Sequence, residues 1–440
     1  MPDTTPQIPA TWIPVLDCHN DLPFALREKA GYDAQRLDRV RDELHTDLVR
    51  LRDGGVGAQF WSAWVPSSIP QEDAVVATLQ QIDTIRRLIA AYPPTLQAAR
   101  TADDVEAALA SGRIASLIGL EGGQSIADSL AVLRQMFHLG ARYMTLTHND
   151  DLAWATAATG AAEAQAEADG APGSPGARSP RGLTDEGRAV VAEMNRLGML
   201  VDLSHTNERT QLDALECSRV PSLFTHSSVQ AVNPHPRNVT DRVLERIAAT
   251  DSGLGLTFVP AFVSSRVRQW VLDRAQARID LGIDDPDRPV SLTRPYWVPA
   301  APRPGQGCEE VRAHNDAHRV DYGYGDTDAE VPAASAARLA AWEDAHPEPH
   351  ATLEDVVAHL EAAREAVGIT RIGLGGDYDG TATLPTGLED VSRYQDLLSR
   401  LADRGWSRQD LEALAFRNVL RIMRAAEDGA EGTVDAAPRV

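Results

Sequence analysis

Cysteine is scarce. Cys18, Cys217 and Cys308 are the only three among 440 residues, too few and too scattered for a disulfide framework or a cysteine-rich zinc knuckle. Positive charge is short as well, with 42 Lys and Arg against 64 Asp and Glu and a formal net charge of −22. Nucleic acid and an anionic membrane face would repel such a chain, so neither is expected as a partner. A local arginine can still govern one pocket for a small anion. No stretch approaches the roughly 18 apolar residues of a membrane span. The opening MPDTTPQIPATWIPV lacks a basic segment followed by an apolar one, and the closing AAEDGAEGTVDAAPRV is too polar for a lipid-anchor signal. A cytoplasmic location is the resulting expectation. With 43% hydrophobic and 24% charged residues, the chain has ample core for a globular fold.

What the sequence does have is a repeated ending. Four histidines stand where an apolar, β-like run stops: His19 in VLDCHND, His148 in YMTLTHND, His205 in MLVDLSHT and His226 in SLFTHSS. Two more runs end in a carboxylate, SLIGLEGG at Glu121 and IGLGGDYDG at Asp377. Core packing does not account for six such endings. Parallel strands that all deliver ligands to one end of a barrel do.

The apolar runs number eight, near 12–19, 56–65, 114–121, 141–148, 198–205, 220–227, 253–262 and 370–377. They are short and rich in Val, Ile, Leu, Phe and Thr, as buried parallel strands are. Stretches with helical spacing lie between them. One of these, LTDEGRAVVAEMNRLG, carries start signals at Thr184 and Glu186 and a stop at Gly198. Strand and helix alternating eight times predict a (β/α)8 TIM-type barrel, α/β in class, as a single domain over 1–430 with a polar tail at 431–440. Helices after 385 are expected outside the barrel or across its floor. Two long insertions, after strands 4 and 7, interrupt the rhythm. Residues 157–182 are rich in Ala, Gly, Ser and Pro and read as a flexible loop. Residues 263–350 include SLTRPYWVPAAPRPGQGC, which reads as an ordered extended cover; a lid, an oligomer contact and surface decoration all stay open for it.

In the triplet His19-Asn20-Asp21, positions i and i+2 share a strand face, so both side chains can reach one ion. Asp17 has the same parity but lies one pair deeper. Cys18 falls on the opposite face and reads as a packed thiol. Glu121 follows wholly apolar residues, so its carboxylate must either pair with an arginine or bind a cation, and Gly122 and Gly123 let the chain turn tightly beneath it. His205 and His226 end neighbouring strands and should be adjacent on the rim. The inventory is His19, Asp21 and Glu121 around one ion and Glu121, His205 and His226 around a second, with positions left open for water. Nitrogen and oxygen ligands without thiolate favour two zinc ions, manganese or cobalt being substitutes.

His148 remains over, placed to steady an oxyanion. Asp377 can accept and return a proton. Asp379, one pair farther out, reads as a holder of the turn. Arg237 in HPRNVTD is either the partner of a substrate carboxylate or a surface cation. His138 lies in a helical pattern, and the histidines at 45, 314, 318, 346, 350 and 359 lie off the rim and receive no role.

These residues stand in blocks that resemble the membrane (renal) dipeptidase family, zinc dipeptidases of the amidohydrolase barrel superfamily. The blocks are DCHNDLP at 17–23, LIGLEGG at 117–123, GARYMTLTHN at 140–149, GLTDEGRAVVAEMNRLGMLVDLSH at 182–205, THSS at 225–228, RNVTD at 237–241 and GLGGDYDG at 373–380. The resemblance implies an amidohydrolase-like barrel with two zinc ions bridged by Glu121. It also implies His148 and Arg237 as substrate contacts, Asp377 as proton shuttle and hydrolysis of dipeptides, plausibly L-Xaa-D-Xaa among them. A soluble, bacterial-type member is the expectation, with a homodimer as the candidate assembly. The lengthened loops depart from the family's compact pattern and put the substrate preference in question. Rival activities on the same barrel are lactam, lactone and N-acyl amino acid hydrolysis. A one-metal deaminase is disfavoured by Asp21 and Glu121, and a non-catalytic metal-binding barrel would lack a ligand or the shuttle.

Overall fold

A computed structural model describes residues 12–67, 69–160, 181–284, 301, 303, 305–318 and 333–431. Nine parallel strands are present among them: β1 Val15–Asn20, β2 Val56–Trp64, β3 Leu96–Ala98, β4 Ile114–Glu121, β5 Ala141–Thr145, β6 Leu200–Asp202, β7 Leu223–Ser227, β8 Gly253–Leu256 and β9 Ile372–Leu374. Eight of them close a barrel in the order β1-β2-β4-β5-β6-β7-β8-β9, with β9 returning to β1. Helices flank this barrel, and further helices are inserted, so the fold is the (β/α)8 type.

The eight expected strands are the eight of the barrel. The ninth, β3, was not foreseen, because three residues are too short for a period to show. It lies beside the first half of β4, Leu96 opposite Ile114, while β5 pairs with β4 only from Ile118 onward. Several ladders also stop earlier than the apolar runs suggest. β5 ends at Thr145, β6 at Asp202, β8 at Leu256 and β9 at Leu374. Pro260 then opens a short helix, Pro260–Val263, inside the run read as strand to 262, since proline suits a first helical turn and not a ladder.

The barrel interior holds Leu16, Phe60, Leu117 and Tyr143, together with the buried thiol of Cys18. The helix Asn418–Asp428 sends Val419, Ile422 and Met423 into the same cluster and closes the floor, as one of the two expected placements has it. Packing at the centre is tight: a Cβ on Gly119 would lie 1.9 Å from Tyr143 Cζ. The helix Asp185–Leu197 begins and ends where its signals stand. Thr184 accepts the Gly187 N–H, and Gly198 takes a left-handed φ of 73°.

The second insertion contributes three further helices among its described residues: Ser265–Asp280, Cys308–His318 and Ala333–Ala345. Asn315 donates to the Arg27 carbonyl in the helix after β1, so this insertion bridges from the β8 side to the β1 side. Of the segment read as an extended cover, 291–300, 302 and 304 fall outside the described residues, as do 161–180 of the first loop and 432–440 of the tail. No helix among the described residues is long and apolar enough to cross a membrane.

Gly119→Val is expected to destabilise the barrel by about 1–3 kcal/mol through overpacking against Tyr143. The midpoint of urea unfolding reads this, and an unchanged midpoint would contradict the packing.

Candidate metal centre

Every rim residue singled out in the sequence except Arg237 meets within one small volume. Glu121, the last residue of β4, is 4% exposed and turns its two oxygens in different directions. Oε2 lies 3.3 Å from His19 Nε2 and accepts from Ser62 Oγ at 3.1 Å. Oε1 lies 3.1 Å from His205 Nε2, 3.4 Å from His226 Nε2 and 3.7 Å from His148 Nε2. Asp21 Oδ2 is 3.2 Å from His19 Nε2, and Asp377 Oδ1 is 4.0 Å from the same nitrogen. Three groups of donors therefore have ligand atoms mutually within 4.8 Å: His19, Glu121 and His226; Glu121, His148 and His205; His19, Asp21 and Asp377. The two groups that share Glu121 make a binuclear metal-binding site. Asp17, in contrast, accepts from the backbone of His19 and Gly376 and stands outside all three groups.

Local backbone brings them there. His205 and Asp377 stand beyond their strands with left-handed φ of 66° and 58°, turning each side chain back over the mouth. Gly122, with φ 99°, gives the sharp turn below Glu121. Gly380 approaches the carboxylates so closely that a Cβ would meet Asp377 Oδ1 at 2.3 Å and Asp21 Oδ2 at 2.4 Å.

A second ring of contacts, missed in the sequence, fixes the ligands. Thr225 Oγ1 donates to Asp202 Oδ2 at 2.7 Å and so accepts from His226 Nδ1 at 2.8 Å, leaving the Nε2 lone pair for the centre. Tyr143 Oη meets His19 Nδ1 at 2.9 Å. Trp64 packs beside His148 with ring centroids 5.3 Å apart, and Phe24 meets Trp64 edge-on. One signal was available: Asp202 interrupts the apolar MLVDL three residues before His205. Ser62 and Tyr143 carry no such mark. Arg237 is buried at 3% exposure, hence no surface cation. It donates to the His226 carbonyl at 3.1 Å and to Ser227 Oγ at 3.3 Å, with Phe262 5.2 Å away under the guanidinium. Two of the histidines set aside as off-rim are engaged as well. His359 accepts the Val229 N–H, and His45 pairs with Asp379.

The charge balance points to cations. Burial holds His205 and His226 well below the usual imidazole range, with the Arg237 charge adding to it, and brings His148 down to about 4. These rings are neutral and have lone pairs to give. Burial works against charge on His19 too, but the Glu121 and Asp21 carboxylates outweigh it and lift its pKa well above normal. Burial, opposed by His19 and reinforced by Asp21 and Glu121, pushes Asp377 up to about 8. Protons on His19 and Asp377 thus balance the anions where a metal would. Asp21 Oδ1 and the Nδ1 atoms of His148 and His205 are buried with no hydrogen-bond partner among the described residues. Carboxylate and neutral imidazole donors so converged fit divalent metal ions.

The family model for membrane dipeptidase, peptidase family M19, matches residues 10–436. The chain belongs to that family. An uncharacterized dipeptidase of Schizosaccharomyces pombe is 36% identical over 433 residues, 95% of this chain and 82% of the relative. Among solved structures, a metallopeptidase from Rhodobacter sphaeroides, liganded with a phosphinate mimic of the dipeptide L-Ala-D-Ala, is similar with a TM-score of 0.65 at 22% identity, covering 94% of this chain and 99% of that one. The probable dipeptidase PvdM of Pseudomonas aeruginosa gives a TM-score of 0.72 at 18% identity, covering 95% and 96%. At these identities the likeness shows the shared fold. Family and site together make this member of the M19 family a metal-dependent hydrolase.

Two outcomes follow from the geometry. Thr225→Val frees His226 to turn and is expected to raise the metal dissociation constant by about 10–100-fold in a chelator competition; wild-type affinity would contradict the relay from Asp202. Metal binding at pH 7 displaces protons from His19 and Asp377, so affinity should fall as pH is lowered through neutrality. Titration calorimetry in buffers of different ionisation enthalpy measures that release, and the absence of any would contradict the charge balance.

Proposed function

We propose that the protein is a binuclear zinc dipeptidase that hydrolyses the single peptide bond of dipeptides, those with a D-residue at the carboxyl-terminal position included. The observation that carries this reading is the division of Glu121, one oxygen toward His19 and the other toward His205 and His226. His19, Asp21 and Glu121 would hold one zinc ion, and Glu121, His205 and His226 the other. When bound, the pair supplies Lewis-acid polarisation of the scissile carbonyl and acidifies water.

The chain's own residues supply the remainder. Asp377, at the mouth against Gly380 and freed of its proton when metal binds, takes the proton of the attacking water and returns it to the leaving amine. His148 is kept neutral by burial, and its N–H steadies the oxyanion from beside the Trp64 ring. Arg237, held by Ser227 and the His226 carbonyl, takes the free carboxylate of the substrate. A buried guanidinium beside an anion-rich centre favours a small substrate with its own carboxylate, which a dipeptide has and a simple ester or lactone lacks. The M19 membership and the L-Ala-D-Ala mimic bound by the Rhodobacter sphaeroides relative support the same substrate class.

A second reading of one residue has geometric support. Asp377 groups with His19 and Asp21 closely enough to complete that ligand set. Asp377→Asn separates the two. As a shuttle, its loss should lower kcat by about 10²–10⁴-fold on L,L and L,D dipeptides while two metal equivalents stay bound. Unchanged turnover would remove Asp377 from the reaction, and loss of metal would make it a ligand. Faster wild-type turnover of lactams, lactones or N-acyl amino acids than of any dipeptide in the panel would overturn the substrate class.

A further inference from the structure

The segment Leu44–Asp47 reaches both halves of the mouth from outside the barrel. Thr46, fully buried, accepts the Asn20 amide N–H at 2.8 Å, and Asn20 Oδ1 in turn accepts the Leu22 N–H at 2.9 Å. Asn20 is the residue between His19 and Asp21. One position earlier, His45 and Asp379 hold each other reciprocally. The His45 N–H donates to Asp379 Oδ1 at 2.8 Å, and the Asp379 N–H donates to His45 Nδ1 at 3.0 Å. The His45 carbonyl accepts the Val391 N–H, and Asp47 caps the helix Leu48–Asp53 through the N–H groups of Val49 and Arg50. Asp377 and Asp379 both have left-handed φ, 58° and 65°. Non-glycine residues keep that conformation only where their surroundings impose it. Two direct ties join this turn to the first strand, the Asp377 N–H to the His19 carbonyl at 3.3 Å and the Asp21 N–H to the Tyr378 carbonyl at 2.9 Å; both lie on its β1 side, and the His45 pair holds Asp379 from the strap.

We infer that His45 is a positioning residue for the hydrolysis proposed above: through its two bonds to Asp379 it fixes the turn that aims Asp377, while Thr46 ties the same strap to the first-strand ligands. This rests on the reading of Asp377 as the proton carrier. The strap sets the register between the side chain that moves the proton and the ligands His19 and Asp21. Misplacing a reacting group by about 1 Å costs on the order of a hundredfold in rate.

His45→Asn and His45→Gln test this. An Asn side-chain carbonyl falls at the place of Nδ1 and can accept the Asp379 N–H, whereas Gln places its polar end at the position of Nε2. The Asn variant should keep kcat close to wild type. The Gln variant should lose between about tenfold and a hundredfold in kcat with KM and metal content unchanged. Crystals of the metal-free proteins give a readout free of activity: in the Gln variant Asp377 should leave its place against Gly380, and in the Asn variant it should not. Equal kcat for the two variants, or an unmoved Asp377 in the Gln variant, would overturn the inference. Should the wild type hydrolyse no dipeptide, the reading of function fails, and the crystals still decide whether His45 places Asp377.

Discussion

Glu121 puts a negative charge at the end of an apolar strand, 4% exposed, where water cannot solvate it. An unpaired buried carboxylate costs several kcal/mol and would be selected away or neutralised. Here it is surrounded instead by His19, His148, His205 and His226, none closer than 3.1 Å. Three of these rings are driven neutral by burial, and only His19 is held in its charged form. One imidazolium leaves the pair Glu121 and Asp21 under-balanced, and Asp377 escapes the deficit only by holding a proton. The site is arranged for more positive charge than side chains bring, which is the physical sense of a two-cation centre.

The barrel supplies what that centre requires. Parallel strands end at one rim, so donors from β1, β4, β7 and the turns after β5, β6 and β9 converge without any one loop carrying them all. Rigid elements then hold each ligand: Tyr143 from inside the barrel on His19, and Asp202 through Thr225 on His226. The floor helix Asn418–Asp428 keeps the lower barrel packed. Core packing reaches the rim through Tyr143, which packs on Gly119 and meets His19 with its hydroxyl.

Much of this was legible in the chain because strands that end in ligands leave a double mark, apolar run and polar stop. His19, Glu121 and His226 close or nearly close their strands, and the sequence marks them plainly. His148, His205 and Asp377 were marked too, although their ladders stop three residues earlier and positive φ, not strand direction, aims two of them. What stayed hidden has no period to betray it. β3 is three residues long, the Pro260–Val263 helix masquerades as the end of an apolar run, and Ser62 and Tyr143 look like ordinary strand residues. His45 was passed over because its partner Asp379 lies 334 residues away, and pairing across such a distance is written in the fold alone.

The division of Glu121 between two ions is the claim on which the rest turns. Diffraction data collected on either side of the zinc absorption edge, from crystals of zinc-loaded protein, test it most directly. The account predicts two anomalous peaks, one on each oxygen of Glu121, the first touching His19 and Asp21 and the second His205 and His226. A single peak, or two peaks with Glu121 bound to neither, would contradict it.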